Sequence, residues 1–216
     1  MLERAAEFET LYADEYLLVL NKPSGLLAVP GRGVDKQDCL SARVQRRYPD
    51  ALIVHRLDMA TSGLMLMARG PAMQSALGKQ FEARQIGKRY VAVVNGNLKV
   101  HADWQLIDQP IALDWPRRPL RIISAALGKP SQTRWRATSY NAENDTTRVE
   151  LEPVTGRSHQ LRVHLQAQGH PIVGDPLYAP IAVQRKSTRL LLHACTLRFV
   201  HPTSGEAMLF DNAPEF

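Results

Sequence analysis

The chain has 216 residues, 44% of them hydrophobic, enough to bury the core of one domain or of two halves sharing a sheet. A formal charge of +6 suits a protein that meets polyanions, and two cysteines, Cys39 and Cys195, leave no disulfide framework, so a reducing cytoplasm is expected. The acidic start Met1-Leu2-Glu3-Arg4-Ala5-Ala6-Glu7 lacks the apolar core of a secretory signal, and no uncharged apolar run approaches membrane-spanning length.

In chain order, residues 8–12 and 16–20 read as short strands around an Asp14-Glu15 turn. Asn21-Lys22-Pro23-Ser24-Gly25 follows as a polar loop, and Val29-Pro30-Gly31-Arg32-Gly33 continues it. The second loop could approach a phosphate, but no strand–loop–helix pattern follows it. Asp38 is placed to cap a helix to about Tyr48, with Leu40, Val44 and Tyr48 buried and Arg43, Arg46 and Arg47 solvated; Pro49 ends it. Pro71 opens a second helix to about Arg84, with Met73, Ala76, Leu77 and Phe81 as its core stripe.

Residues 88–94 form a strand ended by Asn95-Gly96, and 104–113 a weaker strand-and-loop region. Asp114-Trp115-Pro116-Arg117-Arg118-Pro119 is a basic loop carrying an aromatic. It either stacks on and neutralises RNA or tucks Trp115 inward. Residues 131–140 and 146–152 make a hairpin, and a helix after His159 presents Leu161, His164, Leu165 and Gln168 before Gly169 ends it. Residues 171–178 read as loop, 190–200 as a long strand and 206–210 as the last. Hairpins with interspersed helices imply an α+β fold around a largely antiparallel sheet.

The stretch around which the rest is organised is 51–68. Two apolar runs, each the length of a buried strand, flank the polar island His55-Arg56-Leu57-Asp58 and then Met59-Ala60-Thr61-Ser62-Gly63. Lone charges are rejected by a core strand, so Asp58 and Arg56 either pair structurally or face a site where a carboxylate does chemistry. Other chemistries lack their residues. His159, His164, His170 and His193 have neither an HExxH spacing nor a cysteine pair for a metal. There is no GxSxG elbow, no P-loop, and no second acid beside Asp58 for a glycosidase.

Several segments together carry a resemblance. His55-Arg56-Leu57-Asp58-Met59-Ala60-Thr61-Ser62-Gly63 resembles the signature of the RluA family of RNA pseudouridine synthases. So do Asn21-Lys22-Pro23-Ser24-Gly25, Lys88-Arg89-Tyr90, Thr155-Gly156-Arg157-Ser158-His159-Gln160-Leu161-Arg162 and Gly174-Asp175-Pro176-Leu177-Tyr178, in order, with Leu192-His193-Ala194 near the end. The resemblance implies one catalytic domain over residues 1–216, without an N-terminal S4-type domain. Its fold would be a mixed, largely antiparallel sheet flanked by helices, in two subdomains around a cleft that holds Asp58.

It also implies the chemistry. Such enzymes break the N1–C1′ bond of a uridine within RNA, turn the uracil and rejoin it through C5, with no cofactor and no metal. Asp58 matches the catalytic aspartate, acting covalently on sugar or base, or as a base toward the sugar. Arg157 matches the basic residue that pairs with it, since a neighbouring cation favours the ionised carboxylate. Tyr90 matches the active-site tyrosine, stacking on the uracil and offering a hydroxyl near C5. Arg56 matches the residue that fills the space left by a flipped base. His55, Thr61 and Lys88 complete the substrate-binding set, His55 and Thr61 more as residues that shape the turn. The implied partners are a large-subunit rRNA hairpin loop and tRNA anticodon stem-loops, with no membrane and no obligate protein partner. A non-catalytic RNA-binding or RNA-folding factor on the same scaffold is the alternative.

Overall fold

The structure is a computed structural model that describes residues 8–100 and 102–216. The chain divides into two compact units. One takes the chain up to Lys88 together with His193–Glu215; the other takes Arg89–Leu192 and Phe216.

In the first unit, β1 (Glu9–Ala13) and β2 (Leu17–Lys22) form an antiparallel hairpin. Asp14 closes the turn by accepting the amides of Tyr16 and Leu17, both at 2.7 Å. β2 then pairs antiparallel with β4 (Ser62–Arg69), which also receives β3 (Ala51–Ile53). β11 (Leu192–Val200) lies parallel to β4 through His193 and Ala194, and β12 (Ala207–Asp211) lies antiparallel on β11.

β2 and β4 show why their apolar runs do not alternate with polar residues. Helix α1 (Leu40–Arg47) covers one face of the sheet and helix α2 (Pro71–Glu82) the other. Leu17, Val19, Leu64 and Leu66 therefore pack with Met73 and Leu77 of α2, while Leu18, Leu20, Met65 and Met67 pack with Leu40 and Val44 of α1. A strand covered on both faces needs an apolar side chain at every position.

The second unit is built on β5 (Gly87–Asn95, its first two residues counting with the first unit), β10 (Thr146–Pro153), β9 (Gln132–Asn141) and β6 (Gln105–Asp108), antiparallel throughout. Helix α3 (Gln160–Ala167) packs on β9 and β10. A separate two-stranded hairpin joins β7 (Ile111–Leu113) to β8 (Arg121–Ile123), and α4 (Ile181–Gln184) is a single turn. The α+β class with a mostly antiparallel sheet is thus as expected.

Several local expectations are corrected. Asp38 does not cap α1: Cys39 is the cap and its Sγ accepts the Ala42 amide at 3.5 Å. Asp38 instead forms an ion pair with Arg43 at 2.6 Å, so Arg43 is not simply solvated. The region 104–113, expected as strand and loop, holds two short strands in different sheets. β8 and α4 were not anticipated, being too short to show a period.

Candidate active site

The first unit places Arg56, His55, Asp58 and Thr61 on one turn between β3 and β4. The turn closes on itself where the Thr61 amide donates to the Asp58 carbonyl at 3.1 Å. The 21–25 loop braces it from outside. Gly25 donates its amide to the Met59 carbonyl at 2.9 Å, and Ser24 donates its hydroxyl to the Ala60 carbonyl at 2.7 Å. Lys22, fully buried, donates from Nζ to the carbonyls of Pro23 at 2.8 Å, Leu26 at 2.7 Å and Met59 at 3.0 Å. Burying an ammonium is costly, and these carbonyls are what make it tolerable here. Sequence reasoning quoted Lys22 and Ser24 within a motif but gave them no role.

The far end of the turn is fixed equally firmly. Gly63 has φ +112°, and a Cβ there would lie 2.3 Å from the Ala194 carbonyl oxygen, so only glycine lets β4 and β11 approach this closely. Buried Ser62 meets His193 Nδ1 at 2.8 Å, and His193 Nε2 meets the Asn212 side-chain oxygen at 2.9 Å. Asp58 is half-buried at the centre of this frame, while Arg56 is exposed.

His55 and Lys88 share a neighbour. The His55 ring stacks on Phe81 at 4.7 Å, and Lys88 Nζ sits 5.7 Å over the same ring. His55 Nε2 accepts the Leu66 amide at 2.8 Å, which leaves the ring proton on Nδ1. Burial, with a smaller push from Lys88, lowers the His55 pKa to about 3, so the ring is neutral at physiological pH. Burial lowers the Lys88 pKa as well.

The second unit carries Tyr90 and Arg157. Tyr90 stands half-buried in β5, in register with Leu151 of β10. Arg157 lies exposed between β10 and α3. Its main chain is anchored by Gln160, a residue given no role from sequence. Buried Gln160 accepts the Arg157 amide at 3.0 Å and the Thr155 hydroxyl at 2.7 Å, and donates to the Gln132 carbonyl at 2.9 Å. The loop 114–120 between β7 and β8 resolves its two sequence readings: Trp115 is 65% exposed, not tucked in. Arg118 sits 4.6 Å over its ring, and buried Asp114 pairs with Arg117 at 2.6 Å.

The four histidines considered for a metal are engaged elsewhere: His159 with Tyr178, His164 with Thr133 and the Gln109 carbonyl, His170 with the Asn95 carbonyl, and His193 as above. Among the described residues no cluster of three or more His, Cys, Asp or Glu could hold a metal ion.

An aspartate turn on a doubly covered strand, in an α+β fold with an exposed basic and aromatic hairpin, fits an enzyme acting on RNA. The family model for RNA pseudouridylate synthase matches residues 16–167, and the chain belongs to that family. It is an isomerase that makes pseudouridine. The chain is 47% identical over 206 residues to the dual-specificity RNA pseudouridine synthase RluA of Escherichia coli K12, covering 95% of this chain and 93% of that protein. It is 48% identical over 199 residues to the protein of the same name from Vibrio parahaemolyticus, covering 91% and 79%. The solved structure of human RNA pseudouridylate synthase domain containing 1 superposes with a TM-score of 0.81 at 28% identity, covering 100% of this chain and 87% of that one.

Proposed function

We propose that this isomerase acts on more than one class of RNA, a hairpin loop of large-subunit rRNA and the anticodon stem-loop of tRNA. The identity of 47% across 206 residues to an enzyme named for dual specificity carries this reading. The basic and aromatic tip at Trp115 and Arg118 supports an RNA partner, because base stacking tolerates more than one sequence context. Two free, buried cysteines suit a reducing compartment, and the cytoplasm is the location this reading assigns.

Asp58 does the central chemistry, attacking covalently at sugar or base or taking a proton from the sugar; the N1–C1′ bond breaks, a C5–C1′ bond forms, and C5 gives up its proton while N1 takes one from solvent. Arg157 acts as the basic partner of that aspartate in the reaction. Tyr90 stacks on the extruded uracil, a contact worth roughly 1–3 kcal/mol. Exposed Arg56 occupies the gap in the RNA stack, offsetting a flipping cost of a few kcal/mol. Lys88 contributes a partly desolvated positive charge toward phosphate or uracil oxygen. His55 and Thr61 hold the turn, and a neutral His55 does not act as a cation.

Tritium release from RNA labelled at uridine C5 tests the assignment. The protein should release tritium with multiple turnovers, and Asp58→Asn should lose at least about a thousandfold in rate while binding RNA normally. Release by the asparagine variant at wild-type rate would remove Asp58 from the chemistry. No release by the wild-type protein, even in excess over RNA, would favour the non-catalytic alternative.

A further inference from the structure

The Gly174-Asp175-Pro176-Leu177-Tyr178 segment has no part in the chemistry assigned above. Its structure is nonetheless elaborate. Asp175 is fully buried and pairs with buried Arg162 of α3 through two bonds, at 2.8 and 2.7 Å. The Asp175 carboxylate also accepts the amides of Leu177 at 2.9 Å and Tyr178 at 3.2 Å. Arg162 lies 5.1 Å from the Tyr178 ring centre, on its face. The phenol is therefore held at both its main chain and its ring.

The hydroxyl of Tyr178 joins two other parts of the same unit. The Arg121 amide, the first of β8, donates to it at 2.9 Å. His159 Nδ1 lies 2.6 Å from it, a hydrogen bond whose direction follows the tautomer of the imidazole. His159 is two residues after Arg157 and adopts a left-handed backbone, φ +58°, as it opens α3. A non-glycine residue rarely takes that conformation unless something holds it. One oxygen atom thus connects the base of the Trp115–Arg118 hairpin to the segment that presents Arg157.

The hairpin is itself built to transmit a displacement. Asp114 donates its amide to the Leu120 carbonyl at 3.0 Å, and Leu120 donates to the Arg117 carbonyl at 3.0 Å, so the tip is internally tied. Arg121 follows directly after Leu120. We propose that Tyr178 is a positioning residue that couples RNA contact at the hairpin to the placement of Arg157. RNA seated on Trp115 and Arg118 draws on β8. The Tyr178 hydroxyl passes that shift to His159, and the Arg157 segment settles into its working position only when the correct loop is bound. The coupling rests on the reading of the hairpin as an RNA contact.

The test uses the full chain and an anticodon stem-loop transcript labelled with tritium at uridine C5. Tyr178→Phe removes one oxygen and keeps the ring on Arg162. It should lower kcat about tenfold and leave the RNA Kd within about twofold, while loss of the two hydrogen bonds lowers the melting temperature by several degrees without unfolding the protein at assay temperature. In a Trp115→Ala background the same substitution should cost less than about twofold, because the signal it relays is already gone. His159→Asn tolerates the left-handed backbone and guards against a folding defect at Tyr178. It should reproduce the kcat loss and add nothing to Tyr178→Phe. An equal loss in both backgrounds, or no loss in either, overturns the coupling. Trp115→Ala binding RNA as tightly as wild type sinks the hairpin contact itself, a result that Tyr178→Phe alone cannot give.

Discussion

The turn at Asp58 and the tip at Trp115 are both short loops between paired strands, but they are held in opposite ways. The Asp58 turn is gripped by main-chain carbonyls that accept from Lys22, Ser24 and Gly25, and its exit is pinned where Gly63 meets β11. The Trp115 tip has one buried anchor, Asp114, and otherwise projects an exposed ring with an arginine on it. The difference is the one their proposed tasks require. A group that makes and breaks bonds loses much of its rate if misplaced by an ångström, so its frame is buried and glycine-tight. A surface that meets RNA must stay accessible, and stacking asks little of its exact angle.

The sharpest way to break this contrast is at Gly63. Gly63→Ala adds a Cβ 2.3 Å from the Ala194 oxygen, at a φ of +112°. It should cost roughly 3–5 kcal/mol of stability, from backbone strain and overpacking together. Urea denaturation measures it, and a cost under about 1 kcal/mol would show that the frame yields easily. Trp115→Ala sits at the other pole. It should weaken RNA binding by roughly 1–3 kcal/mol and leave the urea midpoint where it was. A lowered midpoint would mean that the tip is part of the core's support after all.

The same contrast explains what could be read from the chain alone. β2 and β4 were legible because a strand covered on both faces is apolar at every position, as Leu17 to Leu20 and Leu64 to Ala68 are. Asp58 stood out because a carboxylate beside such a run demands a reason. The frame behind it was not legible, since it depends on residues distant in sequence: Ser62 reaches His193 across 131 positions, and Lys22 reaches Met59 across 37. The cap of the first helix was misjudged for a different reason. Asp38 has the better capping side chain, but Arg43 claims it, and Cys39 takes the cap. Trp115 could not be placed from composition, because the same residues describe a buried ring and an exposed one.

The smallest effect separates the frame's electrostatics from its chemistry. His55 is held neutral by burial, with a folded pKa near 3 against an ordinary value of 6.5. The unfolded chain therefore binds a proton first as pH falls. The stability tied to His55 is present above about pH 6.5 and is lost progressively below it, by on the order of 1 kcal/mol at pH 5.5. His164, lowered mainly by burial, adds a loss of the same sign. Two carboxylates act later. Asp38 is held down by Arg43, and at Asp14 burial pushes up while the Tyr16 and Leu17 amides pull further down. Their contributions persist until pH falls through the carboxylate range, so a window from pH 7.5 to 5 isolates the histidines. Urea midpoints across that window should fall in the wild type and fall less in His55→Gln. The kcat profile, by contrast, should show no inflection from His55 between pH 6 and 8. An inflection that disappears in His55→Gln would put that ring in the reaction rather than behind it.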